Sequence, residues 1–130
     1  MPAYEIEIIL SRQLADCLSI PVFITDTRGN LIFYNEPAEE ILGQRFEDTG
    51  EMEVEEWATV FKPVDEQGVS MSPEELPLVK TIKDAYPYHK TFWIESLKGS
   101  RQKISVTSYP IIGRTGKFLA AVALFWKSKE

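Results

Sequence analysis

Between Lys117 and Lys127 the chain reads Phe-Leu-Ala-Ala-Val-Ala-Leu-Phe-Trp, nine residues without one polar side chain. An apolar run this short, bounded by a Gly-containing turn, is a strand covered on both faces. By alternation Phe118, Ala120, Val122, Leu124 and Trp126 share one side, and Leu119, Ala121, Ala123 and Phe125 the other. The other residues must therefore supply neighbouring strands and a layer for each face. Tyr88–Leu97 and Arg101–Ile112 are the nearest candidate strands, joined by a Lys98-Gly-Ser100 turn and followed by a Gly113–Gly116 turn. In the second of them Ile104 and Val106 alternate with Lys103, Ser105 and Thr107, giving one buried and one wetter face.

Upstream, Val22–Asp26 and Leu31–Tyr34 are short β-rich runs around Thr27-Arg-Gly-Asn30, a hairpin signal. Asn35 is placed to cap a helix over Pro37–Leu42 that Gly43 ends, with Glu36, Glu39 and Glu40 favoured by the helix dipole. Val54, Trp57 and Phe61 mark a helix over about 52–61, and Asp65-Glu-Gln-Gly68 a turn. Ser72-Pro-Glu-Glu75 has capping-box character, but Pro77 inside that helix would clash with an earlier carbonyl. A single turn at 73–76 and a separate helix from Pro77 to about Asp84 are expected. At the N-terminus Ile6, Ile9, Leu10, Leu14, Cys17 and Leu18 follow helical spacing, so an amphipathic helix over about 4–18 must lie against something.

The 130 residues hold 14 basic and 20 acidic side chains, a formal charge of −6. This size suits one domain with one core and leaves no room for a separate output module. The charge is segregated: 36–56 carry nine acidic residues against Arg45, whereas 80–130 carry ten basic against three acidic. The plain reading is two solvated faces of opposite sign; the sharper one is docking surfaces for different partners. Nucleic acid is not expected as a partner of so acidic a chain. One cysteine (Cys17) forbids an internal disulfide, and one histidine (His89) forbids a multi-His metal site, which together suit the cytoplasm. The apolar run ending at Leu10 is too short to cross a bilayer and lacks a basic leader, so neither membrane span nor signal peptide is expected.

From about Leu18 to Trp126 the order of elements resembles a PAS domain, a small sensory module of bacterial signalling proteins. The resemblance is clearest in Pro21-Val-Phe-Ile-Thr-Asp-Thr-Arg-Gly-Asn-Leu-Ile-Phe-Tyr-Asn-Glu-Pro-Ala-Glu-Glu-Ile-Leu-Gly43: a strand ending in Asp, a Gly-centred turn, a second strand, Asn, an Ala-Glu helix and Gly. Asp65-Glu-Gln-Gly68, Glu75-Leu-Pro-Leu78, Tyr109-Pro110-Ile111 and Leu124-Phe-Trp126 extend it. It implies an α+β fold: a five-stranded antiparallel sheet in order 2-1-5-4-3 with helices on one face. Residues 21–127 would form the PAS domain and 1–20 an amphipathic helix for dimerisation or sheet capping. Where family members close on Asp-Ile-Thr before a signalling helix, this chain has Lys127-Ser-Lys129. It is therefore expected to be a stand-alone module or a piece of a sensor kinase or similar protein.

The resemblance also frames the chemistry. Flavin-binding members need a reactive Cys in an Asn-Cys-Arg context and amides on the last strands; here Ile94, Ile104 and Phe125 occupy the inward positions, and Cys17 precedes the domain. Haem-binding members take an axial His from the helix at 77–84, which has none. No cofactor is expected, and His89 is expected at the surface. The implied cavity would be lined by Phe23, Thr25, Leu78, Val79, Ile82, Phe92, Ile94, Ile104, Val106, Ser108, Leu119, Ala121, Ala123 and Phe125. These residues either fill a close-packed core or enclose a small hydrophobic molecule. With no acid or base in that list and only His89 for a catalytic triad, an enzyme is not expected; Asp26 suits turn hydrogen bonds. The leading expectation is a signalling module that dimerises through Ile6, Ile9, Leu10, Leu14, Phe118, Val122, Leu124 and Trp126 and acts on a signalling partner. The rival is a receptor for a hydrophobic ligand, and a small cavity-type enzyme on a similar scaffold is a third.

Overall fold

The computed structural model describes residues 5–95 and 101–128, with the backbone alone at 58–61. The expected Lys98-Gly-Ser100 turn lies outside the described residues. Twelve elements follow in order: α1 (Ile6–Asp16), β1 (Val22–Thr25), β2 (Leu31–Tyr34), α2 (Glu36–Leu42), α3 (Phe46–Thr49), α4 (Val54–Phe61), β3 (Pro63–Val64), a 3-10 turn (Pro73–Glu75), α5 (Pro77–Asp84), β4 (Tyr88–Glu95), β5 (Arg101–Ile112) and β6 (Phe118–Lys127). The strands form one antiparallel sheet in the order β2-β1-β6-β5-β4-β3. This is the expected arrangement with one addition: Pro63–Val64 pairs with Trp93 and Ile94 at the edge, two residues too few to show a periodicity.

Local chemistry accounts for the boundaries. Asn35 Oδ1 accepts from the Ala38 N–H at the start of α2, and Gly43, at φ +76, ends that helix in a left-handed turn. Ser72 and Glu75 close a capping box around the 3-10 turn, and Pro77 begins α5 where a missing N–H costs nothing. Asp26 ends β1 by accepting from the Arg28 and Asn30 N–H groups, both at 2.9 Å.

Helices α2, α4 and α5 cover the inner sheet face over a cluster that includes Phe23, Trp57, Leu78, Phe92, Ile104, Ala121, Ala123 and Phe125. On the outer face Val22, Ile24, Ala120 and Val122 form a second cluster with Ile8 and Ala15 of α1. β6 thus has the two covered faces its composition demands.

Two placements differ from the sequence reading. The β5–β6 register runs Ile111↔Ala120 and then Ile112↔Phe118, so Leu119 is an extra residue without an opposite. A one-residue bulge reverses the facing of everything before it. Phe118 consequently packs on the inner cluster and Leu119 on the outer one, the reverse of strict alternation. The second concerns the rotation of α1, whose apolar stripe is expected to lie against either the sheet or a second copy. That stripe points away from the sheet: Ile6 is 65%, Ile9 43%, Leu10 55% and Leu14 58% exposed, with Cys17 also exposed. Ile8 and Ala15 make the sheet contact instead. Asn35 donates from Nδ2 to the Ala15 carbonyl at 2.9 Å, and the Arg12 guanidinium lies 4.6 Å from the centroid of the Phe33 ring. Both contacts hold the Ile8–Arg12–Ala15 side of the helix to the sheet.

Candidate functional site: an apolar core cavity and an outward helix stripe

The inner cluster is dominated by rings. Phe23 makes edge-to-face contacts with Phe125 at 4.9 Å, Tyr34 at 6.0 Å and Trp57 at 6.3 Å. Trp57 is buried and donates its indole N–H to the Gly29 carbonyl at 3.0 Å, which ties α4 across the β1–β2 turn. Phe23, Trp57, Leu76, Pro77, Leu78, Phe92, Val106, Ala123 and Phe125 enclose a void of about 20 Å³. That is room for about one water, far below the volume of a bound drug-sized molecule. Ile94, Ile104 and Ala121 belong to the same cluster, with Val79 and Ile82 packed at its margin. Leu119, expected in this lining, belongs to the outer face. Trp57, Leu76 and Pro77 were not among the expected lining residues. The Val54, Trp57, Phe61 spacing marked Trp57 as inward, but only the tertiary fold shows which void it borders.

Among the described residues the Thr25, Thr81 and Ser108 side chains are fully buried. Thr81 Oγ1 and Ser108 Oγ lie 2.6 Å apart and satisfy each other between α5 and β5. Thr25 Oγ1 has no hydrogen-bond partner among the described residues. A buried hydroxyl left unpaired costs roughly 1–3 kcal/mol, so this atom is a polar anomaly of the core; Gln102 Oε1 is the other buried side-chain atom without a partner among the described residues. At the edge of the core, burial raises the Tyr34 phenol above its ordinary value, partly offset by the Thr49 hydroxyl at 2.8 Å.

At the outer face the expected interface residues separate. Ile6, Ile9, Leu10 and Leu14 form the exposed stripe of α1, and Trp126 is 39% exposed. Val122 is only 2% exposed among the residues α1 packs against, and Leu124 is half-buried beside it. Phe118 packs, partly buried, on the inner cluster of the opposite face. A second molecule can therefore reach the stripe but not Val122 while α1 stays docked, and Phe118 is not on that side. His89 is exposed at the edge of the sheet, its ring 6.1 Å from that of Trp126. The described residues contain no group of three or more potential metal ligands and no helix long and apolar enough to cross a membrane.

A family model of the PAS domain matches residues 10–77, which run from within α1 to the start of α5. The chain belongs to the PAS domain family. Similar solved PAS and LOV structures superpose over most of the chain. The PAS domain of a protein from Colwellia psychrerythraea is 15% identical and superposes with a TM-score of 0.65, over 93% of this chain and 96% of that one. A LOV protein of Rhodobacter sphaeroides is 11% identical with a TM-score of 0.72, over 96% and 69% of the two chains. The light-state dimer of the fungal blue-light photoreceptor Vivid is 13% identical with a TM-score of 0.64, over 97% of each. At these identities the likeness concerns the fold. No curated protein matches the chain. Within the PAS fold the inward positions Ile94, Ile104 and Phe125 are apolar and buried, and none of them can hydrogen-bond a flavin edge. Cys17 is exposed at the C-cap of α1, outside the inner cluster. These residues do not fit a flavin.

Proposed function

We propose that this PAS domain is a sensory signalling module that works as a homodimer, paired through the outward stripe of α1 and passing its signal on by changed contacts with a partner protein. The observation that carries the reading is the rotation of α1. Four large aliphatic side chains at helical spacing face solvent, while the helix holds the sheet through Ile8, Ala15 and an Asn35 hydrogen bond. Contiguous apolar surface of this kind marks an interaction site. A second copy of α1 suits a stripe spaced at three and four, since knobs from one helix fill the gaps of the other. The dimeric light state of Vivid, on a similar fold, is in keeping with this reading.

Sedimentation velocity at tens of micromolar tests it. The expected result is a dimer that Leu10→Glu and Leu14→Glu, at exposed positions, convert to a folded monomer. Wild-type protein that sediments as a monomer would overturn the pairing. Cys17 shares the outward side, so mild oxidation of the dimer is expected to give a cross-linked species that Cys17→Ser abolishes.

The unpaired Thr25 hydroxyl, two residues along β1 from Phe23 but outside the lining of the present void, favours one second reading: a small, mostly apolar ligand with one hydrogen-bonding atom, held in an inner cavity expanded to reach it. Native mass spectrometry of protein taken directly from its expression host checks this. A bound mass lost in Ala123→Leu, which fills the void, supports the ligand; no co-purifying mass refutes a constitutively held one.

A further inference from the structure

Helix α1 covers only part of the outer sheet face. The remainder, on β4, β5 and the end of β6, has its own character. In register across the strands stand Trp93 and Lys103, then Thr91, Ser105 and Trp126, then His89, Thr107 and Leu124. Arg101 Cζ lies 5.7 Å and Lys103 Nζ 6.0 Å from the Trp93 ring centroid, and the His89 and Trp126 rings lie 6.1 Å apart, tilted by 33°. Glu95 is opposite Arg101 in the ladder, yet Arg101 reaches instead toward Gly68, 3.3 Å from where a Cβ would stand. Among the described residues no ion pair joins Arg101 or Lys103 to a carboxylate. The face thus presents two cations laid against an indole, beside a second indole that is 39% exposed.

We propose that this part of the sheet docks an acidic segment of a partner protein, with carboxylates on Arg101 and Lys103 and an apolar side chain against Trp126. Three observations select this occupant. First, the cations have no carboxylate ion-pair partner among the described residues and already lie against the Trp93 ring, so less side-chain freedom is lost when they bind an anion. Second, an isologous contact with another copy centred on this patch would bring Arg101 and Lys103 toward their own equivalents, which like-charge repulsion disfavours. Third, a nucleic acid strand needs a run of phosphate contacts and open ring faces for base stacking. Here two cations occupy the Trp93 surroundings and the whole chain carries −6. Glu55 and Glu95 line the hollow at Gly68 that Arg101 reaches, whereas the other acidic side chains of 36–56 lie on or beside helices packed away from β4 and β5, and screening over about 8 Å limits their reach to Lys103 and Trp126.

The test uses the intact chain and an acetylated peptide of Glu-Glu-Leu-Glu repeats, with its Gln-for-Glu analogue and oligouridylate as comparisons. Trp93 and Trp126 lie in the proposed contact whereas Trp57 is buried, so intrinsic fluorescence reports binding directly. The acidic peptide is expected to bind with a dissociation constant of about 10–100 µM at low salt and to weaken about tenfold or more at ~0.3 M salt. The Arg101→Glu/Lys103→Glu double variant is expected to lose at least about tenfold of that affinity with an unchanged melting temperature. No binding at low salt overturns the proposal, as does equal binding of the Gln analogue. Tighter binding of oligouridylate would assign the face to RNA instead, and unchanged affinity in the double variant would move the contact elsewhere. A double variant that unfolds is replaced by Arg101→Gln/Lys103→Gln, to which the same criterion applies.

Discussion

Replacing Asn35 by Ala removes the one side chain that ties α1, β1 and α2 together. Its Oδ1 accepts from the Val22 N–H at 3.0 Å and the Ala38 N–H at 3.2 Å, and its Nδ2 donates to the Ala15 and Ile20 carbonyls, both at 2.9 Å. The residue is 2% exposed. Loss of the helix cap alone costs about 1 kcal/mol. The Ala15 carbonyl keeps the Leu18 N–H as a donor, but leaving the Val22 N–H unpaired in buried surroundings adds roughly 1–3 kcal/mol. A total of about 2–4 kcal/mol follows, against a whole-domain stability of order 10 kcal/mol. With an unfolding entropy of about 2.1 cal/mol/K per residue, that range lowers the melting temperature by about 7–15 °C.

Urea unfolding and calorimetry give the total, and hydrogen exchange of the last-turn amides of α1 shows whether the loss is felt in that helix. A loss below about 1 kcal/mol with unchanged α1 exchange would refute the hub argument. Asn35→Asp sharpens the test, because it keeps the acceptor but sets a buried carboxylate against the Ala15 and Ile20 carbonyls. The Val22 and Ala38 N–H groups favour the ionised form, but burial and the two facing carbonyls outweigh them and raise the folded-state pKa above the unfolded value of about 3.9. The folded variant then holds its proton more tightly than the unfolded one, so the penalty shrinks as pH falls toward the unfolded pKa and grows as pH rises to the folded one. The stability difference between Asn35→Asp and wild type should narrow from pH ~7 to pH ~4.5, whereas the Asn35→Ala difference stays flat.

Two further outcomes test the geometry. Ile8→Ala, under α1, is expected to cost about 2–4 kcal/mol in urea unfolding, while Ile6→Ala on the outward stripe changes a monomer by less than about 0.5 kcal/mol; equal effects would contradict the observed rotation of α1. Tyr34→Phe is expected to lose about 1 kcal/mol near pH 8 with the Thr49 bond. Because the folded phenol titrates above 10.0, the stabilisation that Tyr34 contributes is intact below that pH and lost as pH rises through its folded pKa, so the two proteins converge in alkaline denaturation curves.

The fold was legible where local and tertiary signals coincide. Asn35, Gly43 and Pro77 each act through a backbone rule that holds in any context, and each bounds its element where expected. The bulge at Leu119 was not legible, because an apolar run satisfies alternation in either register. Polar residues mark a face only by contrast, and β6 has none between Phe118 and Trp126. The candidate lining was legible for Phe23, Leu78, Phe92, Val106, Ala123 and Phe125, which all border the void. Its small size was not, since packing density depends on rings such as Trp57 arriving from other elements.

The rotation of α1 carries the most weight for function. The sequence holds two helical stripes: a strongly apolar one of Ile6, Ile9, Leu10 and Leu14, and a mixed one of Ile8, Ser11, Arg12 and Ala15. The fold buries the weaker stripe because Asn35 and Phe33 hold that side. The conflict resolves only if the stronger stripe meets something else. About half of each outward side chain is still in water, so covering four from each copy gains about 1 kcal/mol apiece, roughly 8 kcal/mol together. Association costs about 4–15 kcal/mol in lost freedom. The stripe alone therefore supports a weak dimer at best, and one stable at micromolar concentration must also cover the adjoining Tyr109, which is 37% exposed on the outer sheet face beside α1. Tyr109→Ala is accordingly expected to weaken the dimer about as much as Leu14→Ala, and a dimer indifferent to Tyr109 would confine the contact to the helices.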